Sequence, residues 1–369
     1  MKIAIITDTH QGARNSSIFR EYHRQWWRDV FIKYLNDNNI KSFLHGGDFF
    51  DNRTHMHIED LNYVVYEFSS LLAESGIHMH IVAGNHDVCY RNTNNTNSLI
   101  FPESNVTTYV DDVKLVQIGF QKFLMVPWIN HENETRILSA IKNCDDKANT
   151  IILGHFEIAG ALMYPGSRCE HGLDTSVFIG FQEVWSGHFH QTSITGNIRY
   201  LGSAFELTWQ DYNQWRGFYV YDTETRVLTP VANEYQLFFE IEYDYNSLKM
   251  LADDHELSSQ IKGRFVRLVV NTDYNKVQLL EVQSLIQKQG PISLQVIDNT
   301  ILKSSSKNQT EDSKSKSDSD SDSEEQKPKT VTTQDMVVKV MKDLGQAPGI
   351  ITRMVDIFSQ AEERMSKGE

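Results

Sequence analysis

Five short polar segments of the chain each follow an apolar stretch made of residue types that favour strands. In an extended segment the first and third side chains point the same way, so an Asp-x-His or His-x-His triplet can supply two metal-ligand atoms. Because all five segments occur at the ends of predicted strands, together they predict a shared dinuclear metal site. The segments are Asp8-Thr9-His10, Gly46-Gly47-Asp48, Gly84-Asn85-His86-Asp87, Gly154-His155 and Gly187-His188-Phe189-His190.

Each of these segments has a plainer explanation when it is taken alone. A lone Asp-x-His is seldom a ligand pair, and Gly-Asn-His-Asp is also compatible with a turn capped by its asparagine. His78 and His80 share a face but begin their strand, roughly 15 Å from its far end at ~3.3 Å per residue, so we expect them to be structural. His55 and His57 follow Asp48 more closely, and both substrate contact and a plain surface role stay open for them.

The first 90 residues or so alternate between strands and helices. Apolar spacing predicts helices over ~17–36 and ~57–74, between strands at Lys2–Ile6, near 43–45 and at His78–Ala83. The right-handed crossover rule makes such strands parallel neighbours, and ligands of parallel sheets bind beyond the carboxyl ends of the strands. The polar segments therefore lie where a ligand is expected.

The following residues continue the α/β pattern to about residue 232. Short β-runs, one helix, two strands that lead into the remaining polar segments, and then hairpins are predicted, at ~106–126, 133–143, 150–153, 183–186 and 197–230. We interpret 1–232 as two sheets packed face to face with helices outside. Residues 233–302 show a separate β-α-β-α-β pattern without catalytic residue types, which predicts a small α+β domain.

The C-terminal part has a different amino-acid composition. Residues 303–330 are rich in Ser, Asp and Lys and almost free of apolar residues, so burial cannot offset the entropy of ordering them and we expect a disordered linker. Apolar residues return at helical spacing in 331–369, which predicts two short amphipathic helices. Docking into a groove of a partner is our preferred interpretation for these helices, and folding back onto the chain is the alternative.

Composition limits the class of protein without deciding its substrate. The formal net charge of −14 argues against a generic basic nucleic-acid binder, yet metal ions can supply positive potential in an enzyme of nucleic acids. The N-terminus has no pattern of a signal peptide and no apolar run approaches ~20 residues, so we expect a cytoplasmic protein without a membrane span. Three cysteines without a Cys-x-x-Cys pair predict free thiols.

Carboxylate and amide oxygens mixed with imidazole nitrogens suit Mn²⁺, Fe or Zn better than Ca²⁺. We assign Asp48 as the bridging ligand, since its strand lies between those of the other two N-terminal segments. One metal would then be held by Asp8, His10, Asp48 and His190, and the other by Asp48, Asn85, His155 and His188. Such a pair activates a water and neutralises the charge on phosphoryl oxygens.

Two further residues receive catalytic roles from their positions. His86 adjoins the ligand Asn85 without being needed as a ligand, and an imidazole there can protonate a departing oxygen. Asp51, three residues beyond Asp48, is predicted to hold the His86 imidazole in orientation with its carboxylate.

These motifs, in the forms Asp8-x-His10, Gly47-Asp48-x-x-Asp51, Gly84-Asn85-His86-Asp87, Gly154-His155 and Gly187-His188-x-His190, resemble the calcineurin-like metallophosphoesterase superfamily. Finer features resemble its SbcD-type DNA repair nucleases, including those of T-even-type phages. These features are the Gly-Asn-His-Asp form, the Val126-Pro127-Trp128 strand, the small following domain and the helical tail after a linker.

The resemblance implies a four-layer α/β/β/α sandwich for 1–232 and a DNA-binding capping domain for 233–302. It implies an Mn²⁺-dependent 3′→5′ exonuclease and endonuclease, active in DNA recombination, repair and replication. Segment 331–369 would dock onto an SMC-like ATPase of the SbcC type, in an assembly of two plus two that contains a dimer of this chain. A phage-encoded protein of this kind would act in the cytoplasm of the bacterial host. The alternative function is a phosphatase or phosphodiesterase for a substrate other than DNA.

Overall fold

The protein is described here by a computed structural model, which covers residues 1–100, 104–164, 166–253 and 256–300. The predicted linker 303–330 and the predicted docking segment 331–369 lie outside these residues. In the described part of the chain, no helix is both long and apolar enough to cross a membrane.

The N-terminal elements alternate between strand and helix as the apolar spacing predicts. The helices near residues 17–37 and 58–75 each contain a π-helical segment, at Trp27–Ile32 and Tyr63–Phe68. The elements are β1 (Lys2–Ile6), α1 (Ser17–Trp26), α2 (Lys33–Asp37), β2 (Ser42–His45), α3 (Ile58–Asn62), α4 (Ser69–Ser75), β3 (His78–Val82), β4 (Val88–Tyr90), β5 (Thr93–Asn97) and β6 (Thr107–Val110).

The middle of the chain is mostly β-structure with one α-helix. Its elements are β7 (Lys114–Ile118), β8 (Gln121–Val126), α5 (Glu134–Lys142), β9 (Thr150–His155), β10 (Leu162–Tyr164), β11 (Ser167–Arg168), β12 (Glu183–Gly187), β13 (Ser193–Thr195), β14 (Ile198–Tyr200), β15 (Gly217–Asp222) and β16 (Val227–Ala232). The C-terminal elements are β17 (Phe238–Glu242), α6 (Tyr245–Asp253), α7 (Glu256–Ile261), β18 (Phe265–Val270), α8 (Lys276–Lys288) and β19 (Ser293–Asp298).

Two six-stranded sheets carry most of the fold. Sheet 1 has the order β16-β15-β1-β2-β3-β6, and sheet 2 has the order β13-β14-β12-β9-β8-β7. Strands β1, β2 and β3 are parallel neighbours, as predicted, and β8, β9 and β12 are parallel neighbours in sheet 2. The carboxyl ends of the strands that precede the polar segments therefore meet at one edge of each sheet.

Alternation along β1 shows how the layers are built. Ile3 and Ile5 pack into a cluster that joins the two sheets, together with residues of β8, β9 and β12. Ala4 and Ile6 point the other way, into a cluster formed with the helices near residues 17–37 and 58–75. A further cluster packs α5 on the outer face of sheet 2. The predicted α/β/β/α sandwich is confirmed, with the central strands of both sheets buried on both faces.

The residues after β16 form a separate small sheet. Strands β17, β18 and β19 are parallel and in that order, and α6, α7 and α8 pack on them around their own apolar cluster. This α+β arrangement agrees with the β-α-β-α-β pattern of the sequence, except that α7 was not predicted. Its use as a DNA-binding cap stays a prediction.

Candidate metal centre

The candidate ligands come together at the carboxyl ends of the central strands. Asp8, Asp48 and Asn85 follow β1, β2 and β3, while His155 ends β9 and His188 follows β12. These strand ends lie side by side within each sheet, and the two sheets face each other, so residues separated by up to 180 positions come into contact. All seven predicted ligands, together with Asp51 and His86, lie in this one neighbourhood.

One cluster of ligand atoms forms around His10. Its Nε2 lies 3.0 Å from Nε2 of His190 and 3.8 Å from Oδ2 of Asp48. Nε2 of His190 is in turn 3.8 Å from Oδ1 of Asp8. These four residues are the set assigned to the first metal.

A second cluster forms around Asn85. Its Oδ1 lies 3.0 Å from Nε2 of His155 and 2.8 Å from Nδ1 of His188. Nε2 of His155 is also 3.2 Å from Oδ2 of Asp48, so the same Asp48 oxygen faces both clusters. The position of Asp48 agrees with the bridging role that the sequence suggested for it.

The backbone at the centre is held in unusual conformations. Asp8, His10, Asp48 and His188 all have positive φ angles, of 52°, 44°, 52° and 89°. Such angles cost roughly 1–2 kcal/mol for a residue with a Cβ, and strained residues of this kind gather at functional sites. Four of the candidate ligands therefore sit on backbone whose conformation the surrounding structure must enforce.

Hydrogen bonds from neighbouring groups orient the ligands. Nδ1 of His155 lies 2.9 Å from the Gly46 carbonyl, which can only accept, so Nδ1 carries a hydrogen and Nε2 faces Asp48 and Asn85 at the centre. The Asp8 carboxylate accepts from the Thr7 hydroxyl at 2.7 Å and from the His188 amide at 3.1 Å. The Asp48 Oδ1 atom accepts from the His86 amide at 2.7 Å.

Two glycines of the motifs are required by close approach. A Cβ at Gly84 would lie 2.2 Å from Oδ1 of Asp48, and a Cβ at Gly187 would lie 2.1 Å from Oγ1 of Thr7. Neither neighbour can retreat without moving the Asp48 or Asp8 carboxylate. Any side chain at these positions would displace the centre.

Burial and charge set the protonation of the histidines. Burial holds the pKa values of His188 and His190 at about 4, so both imidazoles are neutral at pH 7 and can bind metal. At His155 burial opposes protonation, but the Asp48 carboxylate outweighs it and raises the pKa to about 9. Burial also opposes ionisation of Asp48, yet the positive charge of His155 lowers the pKa of that carboxyl.

The donor set passes a chemical test for divalent cations. Asp8 and Asp48 are 0% and 2% exposed, and burying two carboxylates this closely is unfavourable unless positive charge accompanies them. The nearby donors are imidazole nitrogens and the Asn85 amide oxygen, a combination typical of Mn, Fe or Zn sites. The residues present therefore fit a pair of metal ions.

Asp51 contacts His86 through a different atom from the one predicted. Oδ1 of Asp51 lies 3.2 Å from Nδ1 of His10, while the main-chain carbonyl of Asp51 lies 2.6 Å from Nδ1 of His86. The expectation that the Asp51 carboxylate holds the His86 imidazole is thus replaced by contact through the carbonyl. The reason is the loop register, because the Asp51 amide bonds the Gln11 carbonyl at 3.1 Å and ties this loop to that of His10.

The sequence interpretation gave no role to two buried residues that support the centre. The Asp87 carboxylate accepts from the amides of Phe50 at 2.9 Å, Gly84 at 2.8 Å and Phe49 at 3.3 Å, and so joins the Asp48 and Asn85 loops. His45 lies under the loop after β2 and its Nδ1 accepts from the Gly47 amide at 3.2 Å. The one available signal was the presence of Asp87 within the Gly-Asn-His-Asp motif.

The residues set aside as structural have ordinary surroundings. Nε2 of His78 lies 2.8 Å from the Thr108 hydroxyl on the neighbouring strand, and the His78 and His80 rings are 4.7 Å apart. The cysteines Cys89, Cys144 and Cys169 are free thiols, as predicted.

Comparisons with known proteins agree with this geometry. The profile of the family described as calcineurin-like phosphoesterase matches residues 1–192, which is just over half of the 369 residues. Exonuclease subunit 1 of Enterobacteria phage T4 is 29% identical over 321 residues, covering 83% of this chain and 88% of that protein.

Solved structures provide weaker likenesses. A structure described as a novel archaeal phosphodiesterase is 16% identical and has a TM-score of 0.33, covering 63% of this chain and all of that one. GAP50, the anchor in the inner membrane complex of Plasmodium, is 10% identical and has a TM-score of 0.36, covering 75% of this chain and 98% of that one. Likenesses this low carry no argument about this chain.

Proposed function

The chain belongs to the calcineurin-like phosphoesterase family, and from this premise we propose that it is a metal-dependent DNA nuclease. The proposed reaction is hydrolysis of phosphodiester bonds at a dinuclear centre, as a 3′→5′ exonuclease and as an endonuclease. The relative named Exonuclease subunit 1 supports a nuclease that works as one subunit of a complex.

The observation that carries the proposal is the convergence on Asp48. One of its carboxylate oxygens faces Nε2 of His10 at 3.8 Å and Nε2 of His155 at 3.2 Å, which gives two ligand clusters a common member. A two-metal phosphodiesterase needs such a shared carboxylate to keep its ions at a short separation. A single-metal or purely structural site would not need both clusters.

Asp8, His10, Asp48 and His190 would hold one ion, and Asp48, Asn85, His155 and His188 would hold the other. We propose Mn²⁺ for both, because four imidazoles are combined with the oxygens of two carboxylates and one amide. When bound, the ions supply positive charge that favours deprotonation of a water and neutralises the phosphoryl oxygens.

The chain's own residues provide orientation and proton transfer. Nδ1 of His86 must donate its hydrogen to the Asp51 carbonyl, since a carbonyl only accepts, and this leaves Nε2 as the atom that exchanges a proton. A protonated His86 can then deliver the Nε2 hydrogen to the oxygen that leaves the phosphorus. Asp51 has two positioning tasks, with its carbonyl on His86 and its carboxylate 3.2 Å from Nδ1 of His10.

We also propose partners for this chain, on the basis of its resemblance to SbcD-type nucleases. The chain would work with an SMC-like ATPase of the SbcC type, bound through 331–369, in a two-plus-two complex used in DNA recombination, repair and replication. Residues 233–302 would cap the DNA.

The test is digestion of end-labelled duplex and hairpin DNA by the purified full chain with Mn²⁺. We expect cleavage by the wild type, and a loss of more than about 100-fold in Asp8→Ala and His86→Ala, since removing a ligand or proton donor exceeds the usual effect of a supporting residue. His78→Ala is the matched control, because the His78 ring contacts Thr108 and His80, and His78 begins β3, at the end of that strand opposite Asn85.

Full digestion by both Asp8→Ala and His86→Ala would refute the proposed centre. Turnover of a phosphoprotein or cyclic nucleotide with DNA left intact would refute the substrate.

The partner is tested separately. Removing 331–369 is expected to abolish co-elution with the ATPase and to spare cleavage by the isolated chain. Unchanged co-elution would refute the docking role of this segment.

A further inference from the structure

A cavity of about 340 Å³ opens beside the candidate metal centre and has Asp51 in common with it. Its walls come from the loop after β1, the loop after β2 and the start of α3. Polar side chains dominate these walls, namely Arg14, Asn15, Asn52, His55 and His57. We call it the Arg14 cavity.

The acidic residues of the Arg14 cavity already have partners. Oδ1 of Asp51 lies 3.2 Å from Nδ1 of His10, and Oδ2 of Asp60 lies 3.4 Å from Nη1 of Arg20. Arg14, in contrast, makes no ion pair among the residues that the structure describes. Arg14 therefore lines the cavity as a cation without a carboxylate at ion-pair distance among the described residues.

The Arg14 guanidinium is held in place by two aromatic rings. Its central carbon lies 5.2 Å from the ring centre of Phe19 and 5.7 Å from that of Phe238, within cation–π range. Phe19 belongs to α1 and Phe238 begins β17, so Arg14 bridges the metallophosphoesterase layers and the small sheet. These contacts hold the Arg14 guanidinium against two buried rings.

The backbone of Arg14 has a conformation that is unfavourable for a residue with a side chain. Arg14 has φ 57° and ψ 12°, and Asn15 has φ 47°, in the left-handed region where glycine is the relaxed choice. The preceding residues are locked, because the Gln11 amide bonds the Phe49 carbonyl at 2.7 Å and the Asp51 amide bonds the Gln11 carbonyl at 3.1 Å. An arginine kept on strained, locked backbone beside a reactive centre indicates a use for its side chain.

Two other arginines already have partners. Nε of Arg20 lies 3.0 Å from Glu59 and its guanidinium is buried, while Nη1 of Arg168 donates to the Gly160 carbonyl at 2.7 Å.

We propose that Arg14 binds a phosphate of the nucleic-acid strand next to the phosphodiester held at the metal centre. This inference rests on the proposed function and deepens it by naming a residue that selects polynucleotides over isolated diesters. A guanidinium suits the task because its planar fork matches two phosphate oxygens at once. His55 and His57 line the same cavity, where the strand would continue.

The first test measures binding of a fluorescein-labelled single-stranded oligonucleotide to the full chain, without divalent metal, over a range of KCl concentrations. Arg14→Gln is expected to bind about tenfold more weakly at low salt, and the slope of log K against log[KCl] is expected to fall by about 0.7, the value for one phosphate of a single strand. Arg14→Lys should keep the slope.

Two variants make the binding test specific. Arg28→Gln is the matched control, since Arg28 is an exposed arginine paired with Asp29 at 2.8 Å, and it should behave as the wild type. Arg14→Gly removes the same charge while relaxing the left-handed backbone, so it should lose the same slope without a lower melting temperature. An unchanged slope in both Arg14→Gln and Arg14→Gly would overturn the inference.

The second test compares hydrolysis of the oligonucleotide and of bis(4-nitrophenyl) phosphate with Mn²⁺. The small diester has no neighbouring phosphate, so Arg14→Gln should lose about ten times more kcat/KM on the oligonucleotide, mainly through KM. Equal losses on both substrates would overturn the inference and leave the proposed function intact. A wild type that hydrolyses the small diester but neither binds nor cleaves DNA would overturn both.

Discussion

The two-sheet region, β1–β16, and the C-terminal unit, β17–β19 with α6–α8, are built from similar elements but use polar residues differently. In the described part of the chain, every buried polar or charged residue lies between Thr7 and Asn233. Every non-glycine residue with positive φ in that part lies at or before Arg226. The C-terminal unit has an ordinary apolar core. Buried polar groups and strained backbone are thus confined to the region that contains the candidate centre, and the C-terminal unit is built by regular apolar packing.

The largest expected effect comes from the residue common to both ligand clusters. Asp48→Asn should reduce phosphodiesterase activity by more than about 100-fold, beyond the range for supporting residues, and should weaken Mn²⁺ binding measured by calorimetry. Asp273→Asn, an exposed aspartate of the C-terminal unit, is the control and should change neither quantity. Full activity in Asp48→Asn would show that the two regions do not differ in their importance for the activity.

A pair of leucine truncations compares the two cores directly. Leu153→Ala and Leu268→Ala should each lower the free energy of unfolding by about 2–5 kcal/mol, since both side chains are fully buried. Leu153 lies beside Gly46, whose carbonyl orients His155, so only Leu153→Ala should also weaken Mn²⁺ binding. Urea denaturation and calorimetry give the two readouts. Equal Mn²⁺ affinity in both variants would mean that the centre does not depend on its local packing.

A smaller loss is expected at the residue that joins two ligand loops. Asp87→Asn removes part of the acceptor capacity for the amides of Phe49, Phe50 and Gly84, and should weaken Mn²⁺ binding about 10–100-fold. The fold should survive, because none of these amides belongs to a named strand. Unaltered affinity measured by calorimetry would show that the loops hold their register without this carboxylate.

The smallest effect lies at the junction of the two regions. Oε2 of Glu206 accepts from the amides of Leu237 and Phe238 at 2.7 and 2.9 Å, and burial raises the pKa of Glu206 above 4.5. A pKa that is raised by folding gives stability that is present at low pH and is lost as the pH rises from about 4.5 through the folded value. The free energy of unfolding of Glu206→Gln should therefore increase relative to that of the wild type as pH rises, by on the order of 1 kcal/mol. Parallel pH curves of the unfolding free energy for the two proteins would refute this assignment.

The grouping of the candidate ligands was predictable because its signal is local. Residue type, spacing and the apolar stretch before each motif are all written in a few neighbouring positions, as in Asp8-x-His10. The same holds for the helices, whose apolar stripes locate them well. The stripe does not reveal the π-helical segment at Trp27–Ile32, because the buried face is almost the same for either hydrogen-bond pattern.

The supporting contacts were not predictable because they join segments that are far apart in sequence. Asp87 acts on Phe49 and Phe50, 38 and 37 residues away, and no local pattern states this pairing. The prediction for Asp51 named the wrong atom for the same reason. The pairing of the Gln11 and Asp51 loops turns the Asp51 carboxylate toward His10 and leaves the carbonyl to contact His86.

The span between His10 and His190, 180 residues, has a consequence for how the protein comes into being. During synthesis on the ribosome, the strands up to β6 can be complete while three of the seven candidate ligands have not yet been translated. A chain released early, or cut before β12, lacks the histidines that close the centre. The proposed activity therefore cannot appear before β12 and the histidines that follow it have been made.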